Sequence, residues 1–201
     1  MLTIALPKGR IAEQTLDKFE QAFKEKFVFE DRKLILEKAG FRFLNVRNQD
    51  VPTYVMYGAA DLGVVGLDVL EEKQYDLIKL LDLKIGECKV AIGLKKGENI
   101  NWNASSIKVA TKHTTIAKKF FEKKAMAVEI VKLYGSIELA PLVGLSDCII
   151  DVVQTGLTME QNGLEVGETI MNSSANLIAN KNSYYIKKEQ ILTLRERLAK
   201  V

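Results

Sequence analysis

Residues 147–163, DCIIDVVQTGLTMEQNG, read as a buried strand that runs into a tight turn and a short helix. Cys148, Ile149, Ile150 and, past Asp151, Val152 supply the apolar run. Thr155-Gly156-Leu157-Thr158 supplies the turn, with a glycine and two hydroxyls at the point where a helix starts. The first N–H groups of a helix have no carbonyl one turn back. Together with the dipole and the Thr hydroxyls they make an anion site. Asp151, just ahead of that site, repels a phosphate but can accept hydrogen bonds from sugar hydroxyls beside one. A sugar phosphate satisfies both halves. Taken alone, the stretch is equally readable as an ordinary strand–turn–helix connection with a capping Thr, so the rest of the chain has to decide.

The same alternation repeats along the sequence. Leu2–Leu6 reads as a strand, and the segment from Arg10 as an amphipathic helix with Ile11, Leu16, Phe19 and Phe23 on one face. Phe41–Val46, Leu62–Val65, Lys89–Leu94, Lys108–Thr111, Val128–Leu133 and Cys148–Val153 read as further strands. Helices are expected at Val51–Gly58, with Pro52 in the first turn, and at Asp68–Lys73, Ile116–Lys124 and Gln190–Ala199. This order predicts an α/β fold with a largely parallel sheet. The break near Gly86–Lys96 and the return through Ala175–Asn180 suggest two lobes joined by two crossovers, 1–88 with 178–201 and 89–177. Such a hinge leaves an interlobe cleft at the carboxyl ends of strands, where open α/β folds bind ligands.

Composition narrows the classes. With 201 residues, 47% hydrophobic and 27% charged, the chain can bury a substantial core. A net charge of +3, with Lys and Arg dispersed, gives no indication of nucleic-acid binding. No apolar run approaches the roughly 20 residues that span a bilayer, and the apolar start is too short for a signal-peptide core. A cytoplasmic protein without a membrane partner is expected. Cys88 and Cys148 lie in apolar strand-like runs and read as buried thiols. His113, between Lys112 and Thr114, is the only histidine, which leaves neither a histidine zinc site nor a Ser-His-Asp triad. Carboxylates and phosphates are then the ligands for any Mg2+.

Further clusters end strands. Lys8-Gly9-Arg10 puts two cations in the turn after the first strand, which suits pyrophosphate or triphosphate oxygens. Arg32-Lys33 follows the acidic pair Glu30-Asp31 and reads most simply as solvated surface. Arg47 ends another strand, projecting into the expected cleft, while Asp50 reads as a helix cap. Gly66 stands at a strand-to-helix turn where a ligand can reach the backbone, followed by Asp68. Glu138, in Gly135-Ser136-Ile137-Glu138, lies on a neighbouring strand–helix junction, so that it and Asp151 can converge on one ribose. Two carboxylates beside a sugar suit a reaction that develops positive charge at the anomeric carbon.

The pattern D-V-x-x-T-G-x-T resembles the phosphoribosyl-pyrophosphate (PRPP) loop of phosphoribosyltransferases. Seven blocks together resemble the ATP phosphoribosyltransferase family: LPKGR (6–10), RKLI (32–35), RNQDVPTYVMYGAADLGVVGLDVL (47–70), LDLKIGECKVAIG (81–93), VATKH (109–113), KLYGSIELAPLVGLSDCIIDVVQTGLTMEQNGL (132–164) and SSANLIAN (173–180). They run through nearly the whole chain in family order. The commonest phosphoribosyltransferases carry two adjacent acids in the loop, whereas Ile150 precedes the single Asp151 here. In the resembled family the second acid comes from the block that Glu138 matches.

The resemblance implies a two-lobed architecture like that of type II periplasmic binding proteins. It also implies transfer of the phosphoribosyl group of PRPP to N1 of ATP, the first step of histidine biosynthesis, with Mg2+ held through PRPP or pyrophosphate. The PRPP side is then Glu138, Asp151, Gln154, Thr155, Gly156, Leu157 and Thr158. The ATP side is Lys8, Arg10, Arg32, Arg47, Gly66 and Asp68, and the catalytic group is Lys8, Arg10, Arg47, Glu138 and Asp151. The sequence ends near Gln190–Ala199, which resembles the short form of the family. That form works as a homodimer with a regulatory subunit similar to histidyl-tRNA synthetase, in a hetero-octamer. A non-catalytic small-molecule binding module of the same fold, or a nucleobase phosphoribosyltransferase, are the alternatives.

Overall fold

The computed structural model describes residues 1–30 and 32–201; Asp31, the second acid of the Glu30-Asp31 pair, lies outside them. The chain opens with β1 (Leu2–Pro7), α1 (Arg10–Phe23), β2 (Ile35–Lys38), β3 (Phe41–Val46), α2 (Val51–Met56), β4 (Leu62–Gly66), α3 (Leu67–Lys73) and β5 (Ile78–Asp82). It continues with β6 (Cys88–Lys95), β7 (Ile107–Thr111), α4 (Thr114–Lys123), β8 (Val128–Lys132), α5 (Leu139–Leu142), β9 (Cys148–Val153), α6 (Leu157–Gln161) and β10 (Leu164–Ser173). β11 (Ala175–Ala179), α7 (Lys181–Ile186) and α8 (Lys188–Leu198) close it. Two compact units result, Met1–Glu87 with Ser174–Val201, and Cys88–Ser173.

Each unit is built on its own sheet, ordered β2-β3-β1-β4-β11-β5 in the first and β10-β6-β9-β7-β8 in the second. The sheets are mixed, which corrects the expectation of a largely parallel one. The β1–β3, β1–β4, β7–β8 and β7–β9 pairs are parallel. Strands beside the two chain crossings are the exceptions, because β6, β10, β11 and β5 all pair antiparallel. β2 and β3 form a further antiparallel pair. Their turn is only Ala39-Gly40, with φ of 52° and 81°, the backbone that a two-residue hairpin requires. β2 and β10 escape a reading by pattern. Ile35–Lys38 is mostly exposed, and Leu164–Ser173 is an edge strand broken by two irregularities.

Hydrophobic spacing accounts for the packing. Phe19, fully buried on α1, meets Phe43 at 5.0 Å and Phe41 at 5.2 Å between ring centroids, both edge-on. The other face of the first sheet is covered by Val51 and Val55 of α2 and Val69 of α3. Asp50 does not cap α2 as expected. It already has helical backbone at the end of a single turn of 3₁₀ helix, Asn48–Asp50, and its side chain makes no capping bond. In the second unit, Ile116 and Phe121 of α4 pack with Val90, Ile92 and Ile150, while Ile137 and Met159 lie with Ile149 and Val153.

Asp61 bolts the first unit together. Its Oδ2 accepts from the Thr3 N–H at 2.9 Å and from Lys187 Nζ at 2.8 Å, joining β1, the start of β4 and the start of α8. The carboxylate is 11% exposed and the lysine 32%. Burial works to raise the carboxyl pKa, but the Lys187 ammonium, the Thr3 N–H and the Ser183 hydroxyl outweigh it and hold the group below its ordinary value.

Asp61→Asn is therefore expected to lose about 2 kcal/mol at neutral pH, because Lys187 then keeps no anionic partner. A pKa lowered by folding stabilises above the unfolded value and ceases to do so as pH falls through the folded one. Urea midpoints of both proteins should accordingly differ most near pH 7 and draw together on acidification below about pH 4. A gap that stays constant down to acid pH would contradict this role.

Candidate active site

Parallel strands end at one edge of a sheet, and in the second unit that edge gathers β7, β8 and β9. Alternation along β9 puts Asp151 on the face of Ile149 and Val153. Beyond Val153 the chain turns through Gly156, whose φ of 87° is left-handed, into α6. Thr155 Oγ1 accepts from the Leu157 N–H at 3.4 Å, and the Glu160 N–H donates to the Gly156 carbonyl at 3.0 Å. α6 has only five residues, so the dipole has a smaller part than expected. What the turn offers an anion is its N–H groups and the exposed Thr155 and Thr158.

The turn faces a hollow of about 310 Å³ lined by Glu138, Asp151, Val152, Val153, Gln154, Thr155, Gly156, Thr158 and Met159. Six of the residues singled out in the sequence thus share one concavity. Leu157 does not line it; its side chain is exposed and its N–H is turned to Thr155. Glu138 stands where a cap of α5 would, half-buried, and makes no capping bond. Asp151 is 15% exposed, and its Oδ1 accepts from the Val152 N–H at 2.7 Å. The same oxygen lies 3.0 Å from Lys112 Nζ and 3.8 Å from Nε2 of the buried His113.

Lys112 is the residue that reading by motif overlooked. It stands beside His113 in the VATKH block, one place past β7. The register of β7 against β9, in which Thr111 is opposite Ile150, brings it to Asp151. Strand adjacency, which no single motif contains, was the needed signal.

The first unit has an edge of its own. β1, β3 and β4 end there in parallel, and the Lys8 N–H donates to the Val46 carbonyl at 2.8 Å, so Lys8 and Arg47 leave neighbouring strands together. Arg10 opens α1 behind Gly9. β2 begins opposite Leu44, and the Asn45 N–H donates to the Leu34 carbonyl at 2.8 Å, which brings Arg32 to the same edge. All four cations are exposed, and none forms an ion pair with another described residue. Gly66 precedes α3 at the end of β4, and Asp68 is buried in the first turn of that helix. A larger hollow of about 510 Å³, lined by Met1, Phe23, Phe41 and Arg197, opens at the opposite, amino end of β1 and holds none of these residues.

Other chemistry is thin. Among the described residues no three His, Cys, Asp or Glu side chains cluster as a metal site. Cys148 is buried, and burial, helped by Asp147, pushes its thiol up to about 12, which makes it unreactive. Cys88, expected to be buried, is only half so, because it starts β6 where the unit opens.

Comparison with known proteins joins these observations. The family model described as "HisG: ATP phosphoribosyltransferase" matches residues 47–200. An ATP phosphoribosyltransferase of a Sulfurovum species is 65% identical over 201 residues, 100% of this chain and 98% of the relative. One from Wolinella succinogenes is 63% identical over the same span, with the same coverage. The solved ATP phosphoribosyl transferase (HisG:HisZ) complex from Thermotoga maritima contains a chain that superposes with a TM-score of 0.85 at 33% identity, covering 100% of this chain and 98% of that one. The periplasmic aliphatic sulphonate binding protein SsuA of Escherichia coli shares the fold alone, with a TM-score of 0.65 at 13% identity over 99% of this chain and 67% of its own.

Gly156→Val tests the turn. A Cβ there meets Val166 Cγ2 at 3.3 Å, and the left-handed backbone disfavours a branched side chain. The variant is expected to lose about 1–2 kcal/mol in a urea titration while far-ultraviolet circular dichroism stays native. Unchanged stability would mean that the turn is free to adopt another conformation.

Proposed function

The chain belongs to the ATP phosphoribosyltransferase family, and from that premise we propose how its residues divide the work of moving the 5-phosphoribosyl group of PRPP onto N1 of ATP. The products are N1-(5-phosphoribosyl)-ATP and pyrophosphate, and the reaction opens histidine biosynthesis. The observation that carries the residue assignment is the single hollow shared by Glu138, Asp151 and the Gln154–Thr158 turn. The turn N–H groups and the hydroxyls of Thr155 and Thr158 take the 5-phosphate, with Gln154, Gly156 and the Leu157 backbone shaping the cradle. Glu138 and Asp151 accept from the ribose hydroxyls.

Lys8, Arg10 and Arg47 bind the pyrophosphate or ATP phosphates, with Arg32 as a further cation on the ATP side. Gly66 admits ATP close to the backbone, and Asp68 supports that turn. The bond from C1 of the ribose to the pyrophosphate oxygen breaks, its electron pair leaves with pyrophosphate, and N1 of adenine supplies the pair for the new bond. A neutral ring nitrogen needs no strong base. Rate enhancement therefore comes from positioning and from charge stabilisation at the leaving group. The divalent metal of this family is Mg2+ in our reading; held through the phosphate oxygens of PRPP or pyrophosphate, it would supply charge compensation at the leaving group.

We further assign the chain a regulatory partner. The Thermotoga complex pairs a similar chain with HisZ, and we extend that pairing here, with a synthetase-like subunit, a homodimer of the catalytic chain and a hetero-octamer as the assembly. For such a partner to activate, it must bind the competent conformation more tightly than the idle one. Cytoplasmic location fits the two free thiols. No helix among the described residues is long and apolar enough to cross a membrane.

The assay combines the purified chain with ATP, PRPP and Mg2+, with and without the regulatory subunit and histidine, and follows phosphoribosyl-ATP. Product is expected, with histidine sensitivity appearing only when the partner is present. Asp151→Asn should lower kcat about tenfold or more without changing the melting temperature, and Thr158→Val should raise KM for PRPP more than for ATP. Absence of product with a competent partner would sink the function. Equal losses for both substrates in Thr158→Val would sink the phosphate role of the turn.

A further inference from the structure

Among the described residues the lysine and arginine ion pairs with the least exposed acids are Lys187–Asp61, 11% at the carboxylate, and Lys112–Asp151, 15%. The acids of the other lysine and arginine pairs are 33% exposed or more, where such pairs contribute little. The Asp61 pair has a structural task, since it joins three elements. The Lys112–Asp151 pair joins strand ends that are already fixed. Thr111 and Ile150 are in register, Thr111 Oγ1 donates to the Ile150 carbonyl at 2.6 Å, and the His113 N–H donates to Thr111 Oγ1 at 2.9 Å. A second fastening adds little there, yet its acid lines the hollow.

The contacts of Asp151 are one-sided. Lys112 Nζ, the Val152 N–H and His113 Nε2 all approach Oδ1, at 3.0, 2.7 and 3.8 Å. Among the described residues none forms a hydrogen bond or ion pair with Oδ2. A carboxylate next to a phosphate cradle also brings a repulsion, which an ammonium 3.0 Å away offsets. The site then needs both effects at once: an acceptor for hydroxyls, and less negative charge facing a polyanion than two bare carboxylates present.

We propose that Lys112 is a positioning residue for the sugar-phosphate donor, holding Asp151 by Oδ1, presenting Oδ2 to the ribose and offsetting the carboxylate charge as the phosphates approach. The inference rests on the PRPP reading of the hollow. Lys112 acts through Asp151, so its removal affects one substrate and its effect depends on the acid being there.

The test is steady-state kinetics of the holoenzyme, varying PRPP and ATP separately, for wild type, Lys112→Met, Lys112→Arg, Asp151→Asn and the Lys112→Met/Asp151→Asn double variant. Lys112→Met should raise KM for PRPP about tenfold while KM for ATP changes less than about twofold and the melting temperature holds. Lys112→Arg should recover most of the loss. In the Asp151→Asn background, Lys112→Met should add little, because no charge remains to offset. An unchanged KM for PRPP in Lys112→Met overturns the inference. So does an equal rise for both substrates with a lowered melting temperature, or a full additional loss in the double variant. A wild-type holoenzyme that makes no product removes the PRPP reading, and this inference with it.

Discussion

The parallel pairing of β7 with β9, sealed by the Thr111 hydroxyl on the Ile150 carbonyl, sets everything in the second unit that concerns chemistry. It ends two strands at one edge, aligns Lys112 with Asp151, and starts the Gln154–Thr158 turn from a fixed point. Side chains alternate along a strand, so a slip of one residue in β9 would turn Asp151 to the face now held by Ile150 and drive an apolar residue into the hollow. The Thr111 bond is buried and therefore stronger than its exposed equivalent. A short internal hydrogen bond thus holds the register on which the polar site depends.

Charge is arranged by the same logic in both units, with opposite results. The first unit sets Lys8, Arg10, Arg32 and Arg47 at one sheet edge without acidic partners among the described residues, which leaves their charge unmatched by those residues. The second unit sets the N–H groups and hydroxyls of the Gln154–Thr158 turn beside two carboxylates, Glu138 and Asp151, in one hollow. Of those, Asp151 is matched by a cation, and Glu138 is half-buried at the start of α5 without a capping bond. An oxocarbenium-like sugar gains from two nearby carboxylates, whereas a pyrophosphate leaving group gains from free cations.

Much of this was legible in the amino-acid order, and the exceptions share a cause. Phe41–Val46 and Cys148–Val153 were read to the residue, because a dense apolar run bounded by polar turns admits one periodicity. The turn at Thr155–Thr158 was equally plain from its glycine and hydroxyls. Ile35–Lys38 was not read as a strand, since a strand mostly exposed on both faces carries no alternation. Leu164–Ser173 was hidden by Gly167 and its irregular pairing. The antiparallel share of both sheets follows from where the chain crosses between units, a fact about topology with no local trace. Lys112 was missed for the same reason, because its partner is a neighbour only after the strands have paired.

The double crossing at 87–88 and 173–174 also bears on how the protein is made. The second unit is one unbroken stretch and can complete its core as soon as it has left the ribosome. The first unit cannot. β11 lies between β4 and β5, so β5 has its sheet neighbour only after the whole inserted unit has been translated. Until then the nascent first unit exposes the edge of β4 and the apolar side chains of β5, the kind of surface that chaperones recognise. The later-encoded unit is thus the earlier one to mature, and the β4-β11-β5 side of the first sheet is completed only after it.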